Sequence, residues 1–178
     1  MTETLTKTQI ETRKRWVSLL EVSSATFSQS SAETMAALSN EITSIGVDAL
    51  LGHLRFCGTI PESYKHDSTV EKAYSKYSDS VLAETLEYLG LTATIIDQRA
   101  DVADVEAVAE SYALVADAKV FRMTRTAKNA KDFKVDSMDR WKYGKDYTLL
   151  VAPIDHFPIS NSKIYYEATS KSVCILSW

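Results

Sequence analysis

The sequence has little cysteine and no spacing typical of a structural metal site. Its two cysteines, Cys57 and Cys174, lie far apart and form no C-x-x-C pair. This pattern argues against a disulfide framework or a zinc module, and we expect two free thiols. The three histidines (His53, His66, His156) share no metal-ligand spacing either, so we expect ordinary surface or core positions for them.

A hydrophobic run long enough to cross a membrane is also missing, because such a span needs roughly 20 apolar residues. The N-terminal segment MTETLTKTQ is polar and lacks the apolar centre of a secretory signal. A chain of 178 residues can bury a hydrophobic core of its own. We therefore expect one cytoplasmic domain over residues 1–178, without a membrane partner.

An overall excess of basic charge is absent, since the formal net charge is −4. The distribution is uneven, because residues 119–145 contain nine basic and three acidic side chains. A basic strip on an acidic protein is what a local binding surface for a polyanion requires. A solvated helix face that happens to be basic explains the charge equally well.

The spacing of apolar residues predicts helices first and strands later. Residues 1–62 are predicted to be a helical N-terminal region, and a stronger helix is predicted over 68–89. The remaining predicted elements are strands at 92–96, 104–108 and 112–118, a helix at 127–143, and strands at 147–152 and 173–178, the last of them buried. This order predicts an α/β fold with a mixed sheet of about four or five strands flanked by helices.

The segment from Asp104 to Lys119 is the most informative for chemistry. Asp117 and Lys119 end an apolar strand two residues apart, so their side chains project to the same side. Asp104 begins the preceding strand, and if the strands at 104–108 and 112–118 pair as a hairpin, Asp104 lies beside Asp117. Two carboxylates and a lysine at a sheet edge suit Mg²⁺-dependent phosphodiester hydrolysis, with the Ala118 carbonyl as a further oxygen ligand. A D-x-K pair alone is common, and a surface ion pair is the alternative.

Longer motifs surround these residues. They are STxEK at 68–72, DQRxxxxDV at 97–105, LVADAKxFRxxRTAKNxKDFKV at 114–135, KDYxxLxAP at 145–153 and ILSW at 175–178. Together they resemble the HindIII-type restriction endonucleases, a branch of the PD-(D/E)xK nucleases. The resemblance covers residues 66–178, which it implies are the nuclease core, whereas the first 60 residues match less clearly.

The resemblance implies a restriction-endonuclease-like core and assigns catalysis to Asp104, Asp117 and Lys119, with Mg²⁺ held by Asp104, Asp117 and Ala118. Ala103 stands where the motif of the superfamily has proline. Glu71 and Asp97 are candidate auxiliary carboxylates, and an exposed or helix-capping role is the alternative for each.

The resemblance also implies double-stranded DNA as the partner. Base contacts would come from Asn129, Lys131 and Asp132, whose side chains suit the major groove. Phosphate contacts would come from Arg122, Arg125, Lys128 and Lys134. If these roles are kept, the target resembles the palindrome AAGCTT, which requires a homodimer, and a cognate methyltransferase would protect the host.

Two alternatives remain open at this point. Members of the family continue well beyond the position that matches Trp178, so the chain is expected to lack their C-terminal part. It is then either an active type II enzyme or an inactive remnant that binds DNA or merely folds. A protein that uses the basic strip to hold an acidic protein partner is the other alternative, but it leaves the Asp104, Asp117 and Lys119 arrangement unexplained.

Overall fold

The computed structural model describes residues 6–22, 27–96, 102–124 and 130–178. The helices are α1 (Lys7–Val22), α2 (Phe27–Ile45), α3 (Val47–Phe56), α4 (Thr69–Tyr88), α5 (Val135–Trp141) and α6 (Lys163–Ser170). The strands are β1 (Thr59–Ile60), β2 (Thr92–Ile95), β3 (Val105–Val108), β4 (Ala113–Ala118), β5 (Phe121–Arg122), β6 (Tyr147–Ala152) and β7 (Val173–Ser177). Two short 3₁₀ turns, Ala130–Phe133 and Ile154–His156, complete the described elements.

A five-stranded mixed sheet in the order β2-β3-β4-β6-β7 forms the centre of the fold. The strands β2, β3 and β4 are antiparallel, whereas β4, β6 and β7 run parallel. The short strands β1 and β5 form a separate parallel pair that the sequence did not predict. The mixed sheet predicted from the sequence is confirmed.

Helices cover the sheet and meet it through two apolar clusters. Leu82 and Leu86 of α4 pack in one cluster with Val151 of β6. Leu150 of β6 packs in the other, which includes Met138 of α5 and residues of α6. Because successive side chains of a strand point to opposite faces, Leu150 and Val151 divide between the two clusters. The prediction of a sheet flanked by helices is therefore confirmed.

The N-terminal helices pack on the first half of α4, as the predicted helical region requires. Ser68 caps α4 by accepting a hydrogen bond from the Glu71 amide, and Tyr74 and Tyr77 of α4 are fully buried against α1, α2 and α3. His53 is buried there, with Nδ1 2.7 Å from the Tyr77 hydroxyl. Burial lowers the pKa of His53 to about 4 despite a nearby glutamate, so it is a neutral core histidine.

The structure corrects three sequence expectations. The helix predicted at 127–143 is shorter in the described residues, where it covers only Val135–Trp141 (α5), because a 3₁₀ turn ends at Phe133 and Lys134 adopts a left-handed conformation (φ 50°) before α5 begins. The helix α6 was not predicted. The last strand was predicted to be buried, but β7 is the edge strand of the sheet and Leu176 is 49% exposed.

The cysteines lie in different environments, and both are free. Cys57 is buried, which raises the pKa of its thiol, whereas Cys174 is exposed on β7. Among the helices that the structure describes, none has the length and apolar character needed to cross a membrane.

Candidate active site

The hairpin of β3 and β4 brings two acidic side chains together. Its antiparallel register pairs Val105 with Ala116. The next positions outward are Asp104 and Asp117, which therefore face each other where the hairpin opens. Their carboxyl groups are close enough to interact directly. The hairpin predicted from the sequence is confirmed, and so is the proximity of the two carboxyl groups.

Lys119 completes this group from the end of β4. Its ammonium contacts the Asp117 carboxylate in an ion pair whose side chains are only 13% and 2% exposed. The Lys119 amide donates a 2.8 Å hydrogen bond to the Val151 carbonyl, which holds the residue against β6. Asp117 and Lys119 are thus fixed by the sheet on the side of β6. On the side of β3, strand pairing ends at Val105 and Ala116.

The carbonyl of Ala118 lies between these two residues in the chain. In a trans peptide the C=O and the following N–H point in opposite directions, and no described peptide bond is cis. Because the Lys119 amide points toward β6, the Ala118 oxygen points toward β3. It is therefore on the same side of β4 as Asp104, beyond the last paired residue of β3.

Burial and the neighbouring Asp104 carboxyl group both disfavour the charged form of Asp117. Burial is the main reason that the pKa of Asp117 is raised, and the neighbouring Asp104 raises it further. The Lys119 ammonium opposes both effects. A cation placed between the carboxylates would relieve the repulsion, so the donor set suits a divalent cation with hard oxygen ligands.

Helix α4 contributes two residues that the sequence did not single out. Lys76 places Nζ 3.3 Å from Asp104 Oδ1 and 3.4 Å from Asp79 Oδ2. Burial raises the pKa of Asp79 well above its ordinary range, as does Asp104, against the effect of Lys76. Burial opposes the charge on Lys76, but Asp79 and Asp104 outweigh it and raise its pKa. Asp79 lies between the buried residues Tyr77 and Val81, and an acid on an apolar helix face was the available signal.

A cleft of about 350 Å³ separates this part of α4 from the end of β4. Its lining joins the candidate catalytic residues to one face of the helix. The lining residues are Lys72, Ser75, Lys76, Asp79, Asp104, Ala118, Lys119 and Val120. Four of the eight belong to α4, so the helix supplies half of the wall.

The residues predicted to contact DNA are only partly described. Arg125, Lys128 and Asn129 lie outside the described residues, and so does Asp97, the candidate auxiliary carboxylate. Lys131 is exposed and Asp132 half-buried on the 3₁₀ turn that precedes α5. Lys134 is exposed at the end of that turn, with Nζ 5.8 Å from the Trp141 ring centre.

Arg122 was predicted to hold phosphate, and in the structure its guanidinium has protein partners. It donates a 2.6 Å hydrogen bond to the Tyr64 carbonyl and another of 3.2 Å to Glu71 Oε1. Its side chain is only 16% exposed. A phosphate contact would have to replace these partners.

The sequence model of the HindIII restriction endonuclease family matches residues 14–178. The chain belongs to this family. The match includes most of α1 and all of α2 and α3, so the family likeness extends further toward the N-terminus than the motifs indicated. A relative is the type II restriction enzyme HindIII of Haemophilus influenzae, which is 42% identical over 127 residues. That match covers 70% of this chain and 42% of the enzyme, so the chain spans less than half of its length.

In this member of the HindIII family, Glu71 stabilises the start of α4. Its Oε2 accepts a 2.6 Å hydrogen bond from the Asp67 amide, and its Oε1 binds Arg122. Among the described residues, its carboxylate also forms a group with His66 and Asp67 that could hold a metal ion. Both Glu71 oxygens already have partners, however, so helix capping explains the residue without a metal.

We expect Glu71→Ala to lower the free energy of unfolding by about 1–2 kcal/mol, because the helix loses a cap and Arg122 loses its ion pair. The rate of DNA cleavage per folded molecule should not change. Chemical denaturation and single-turnover cleavage measure the two effects separately. Glu71→Gln, which keeps a hydrogen-bonding side chain, is the matched control. A stable Glu71→Ala variant that has lost cleavage would instead assign the carboxylate to the chemistry.

Proposed function

We propose that this chain is a Mg²⁺-dependent type II restriction endonuclease that hydrolyses duplex DNA at a palindrome resembling AAGCTT. The observation that carries the proposal is the contact of the buried Asp117 with Asp104 and Lys119, two residues that line the cleft. In a member of the HindIII restriction endonuclease family, these residues have the chemistry that phosphodiester hydrolysis requires.

Asp104, Asp117 and the Ala118 carbonyl are the proposed ligands of Mg²⁺. The cation, when bound, would offset the charge that develops on the scissile phosphate and the leaving oxygen. The crowding of two carboxyl groups and the raised pKa of Asp117 support this donor set. The Ala118 oxygen would add a neutral ligand without further repulsion.

Lys119 would position the attacking water or, as a neutral amine, help to remove its proton. Its side chain reaches the cleft, and its backbone amide is tied to Val151, so the ammonium starts from a fixed point. An ammonium beside a phosphate also stabilises developing negative charge. The ion pair with Asp117 keeps Lys119 oriented in the absence of DNA.

For DNA recognition we propose base contacts by Asn129, Lys131 and Asp132. The exposed position of Lys131 is compatible with a contact in the major groove. Arg125, Lys128 and Lys134 would hold phosphates, and so would Arg122 if it exchanges Glu71 and the Tyr64 carbonyl for a phosphate.

The remaining parts of the proposal follow from the substrate. A palindromic site requires two-fold symmetry, so the enzyme would act as a homodimer. An enzyme that cuts cellular DNA would need a cognate methyltransferase, and both would work in the cytoplasm. We further propose that residues 1–178 fold as one domain, with residues 66–178 as the nuclease core and residues 1–62 as its helical support.

We expect the purified chain to cut a plasmid that carries one AAGCTT site, with Mg²⁺ and not with EDTA. A plasmid without the site is the matched substrate control, and gel electrophoresis of the products over time is the measurement. Cutting of both plasmids at equal rates would contradict the proposed specificity. Tight binding to the AAGCTT plasmid without cleavage at any enzyme concentration would favour the alternative of an inactive DNA-binding protein.

A further inference from the structure

Lys76 of α4 lies in contact with Asp104, one of the carboxylates that we propose to bind Mg²⁺. Its Nζ lies between two carboxylates. It is 3.3 Å from Oδ1 of Asp104, the residue before β3, and 3.4 Å from Oδ2 of Asp79, which lies one helical turn further along α4. The Lys76 side chain is 24% exposed, the Asp79 side chain 5% and the Asp104 side chain 33%, so water screens the Lys76–Asp79 pair less than the Lys76–Asp104 pair. The ammonium therefore neutralises a carboxylate that the proposed function gives to Mg²⁺.

Two lysine ammonium groups in the cleft form ion pairs with the proposed metal ligands. Lys119 pairs with Asp117, and Lys76 pairs with Asp104. Each proposed metal-binding carboxylate thus has an ammonium of its own in the metal-free protein. Lys76 differs from Lys119 in one respect that the structure shows. It also contacts the carboxyl group of Asp79 on its own helix, which can hold the ammonium when Asp104 binds a metal ion.

We propose that Lys76 is a resident counter-cation that competes with the divalent cation for Asp104. This inference rests on the proposed role of Asp104 as a metal ligand. When a divalent cation binds Asp104, the Lys76 ammonium gives up that contact and keeps its contact with Asp79. Asp79 is accordingly a positioning residue that holds the displaced ammonium in the cleft that both residues line.

Competition between Lys76 and the divalent cation predicts that removal of Lys76 raises the affinity for the cation, and a purely structural role of Lys76 does not. Removing a neighbouring positive charge strengthens the attraction between the carboxylates and a divalent cation. Damage to the fold would weaken that binding instead. Tighter binding in the absence of the lysine is therefore the distinguishing result.

The test is a calorimetric titration of Ca²⁺, which takes the same oxygen ligands, into the full chain without DNA. We expect Lys76→Met to bind Ca²⁺ about tenfold more tightly than the unaltered chain. Lys72→Met is the matched control, because Lys72 lines the same cleft but pairs with no acidic side chain that the structure describes. Its affinity should stay within about twofold. Lys76→Gln, with the same loss of charge and a polar side chain, replaces Lys76→Met if that variant does not fold.

A second variant tests the role of Asp79. Asp79→Asn removes the carboxylate that competes with Asp104 for the Lys76 ammonium, so Ca²⁺ should bind more weakly, and this effect should shrink when Lys76 is also replaced by methionine. Equal or weaker binding by Lys76→Met would overturn the proposal.

The metal site is tested in the same series. Loss of Ca²⁺ binding in Asp104→Asn supports the site, so that an unchanged affinity in Lys76→Met would then count against Lys76 alone. Absence of Ca²⁺ binding in the unaltered chain and in every variant would overturn the proposed metal site together with the role of Lys76.

Discussion

Asp117→Asn is expected to reduce the single-turnover rate of DNA cleavage by about 1,000-fold, since the loss of metal-assisted charge stabilisation costs several kcal/mol. The substitution keeps the shape of the side chain and removes one charged ligand. Cleavage of the AAGCTT plasmid under saturating Mg²⁺ is the measurement. Asp155→Asn makes the same chemical change at an exposed position outside the cleft and should leave the rate unaltered.

The same variant should be at least as stable as the unaltered protein at neutral pH. Because the pKa of Asp117 in the fold lies above its ordinary value of 3.8, the folded protein holds this proton more tightly than the unfolded chain. Stability contributed by the protonated form is therefore lost as the pH rises through the interval between the two pKa values. Asparagine has no such loss, so the advantage of Asp117→Asn should shrink as the pH is lowered.

Thermal unfolding across a series of pH values measures this effect.

Normal cleavage by Asp117→Asn would show that Asp117 has no catalytic role. A variant that loses both cleavage and stability would show that the carboxylate is mainly structural. The expected combination, inactive and stable, is characteristic of a residue whose charge is retained for chemistry at a cost to the fold.

Lys119→Met should have the second large effect, on both activity and stability. Cleavage should fall by about 100- to 10,000-fold, the usual contribution of a positioned proton-transfer group. The free energy of unfolding at neutral pH should fall by about 3 kcal/mol, because a buried carboxylate loses its counter-ion. This loss should diminish at acidic pH, since a protonated Asp117 needs no counter-ion.

The double variant Asp117→Asn with Lys119→Met separates the two effects. It should regain most of the stability that Lys119→Met loses, because neither charge of the pair remains, while cleavage stays absent. Lys163→Met, at an exposed helical lysine paired with Glu167, controls for the loss of a surface charge. Full cleavage by Lys119→Met would contradict the assigned role, and a double variant as unstable as Lys119→Met would contradict the ion-pair explanation.

Local patterns in the sequence were sufficient to predict the main elements near the site. The spacing of apolar residues predicted α4 and the two strands whose pairing as a hairpin brings Asp104 and Asp117 together. The separation of Asp117 and Lys119 by one residue placed both side chains together, as their ion pair confirms. Each of these features depends on residues close in the chain or on one short turn.

Tertiary structure decided the rest, because contacts between distant segments leave no periodic signal. Lys76 meets Asp104 across 28 residues, and Arg122 meets Glu71 across 51. The break at Lys134 was likewise hidden, since a left-handed residue that is not glycine has no marker in composition. The sequence by itself determined the family motifs and the candidate residues Asp104, Asp117 and Lys119, whereas only the packing of α4 against the sheet determined which lysine and which buried acid surround them.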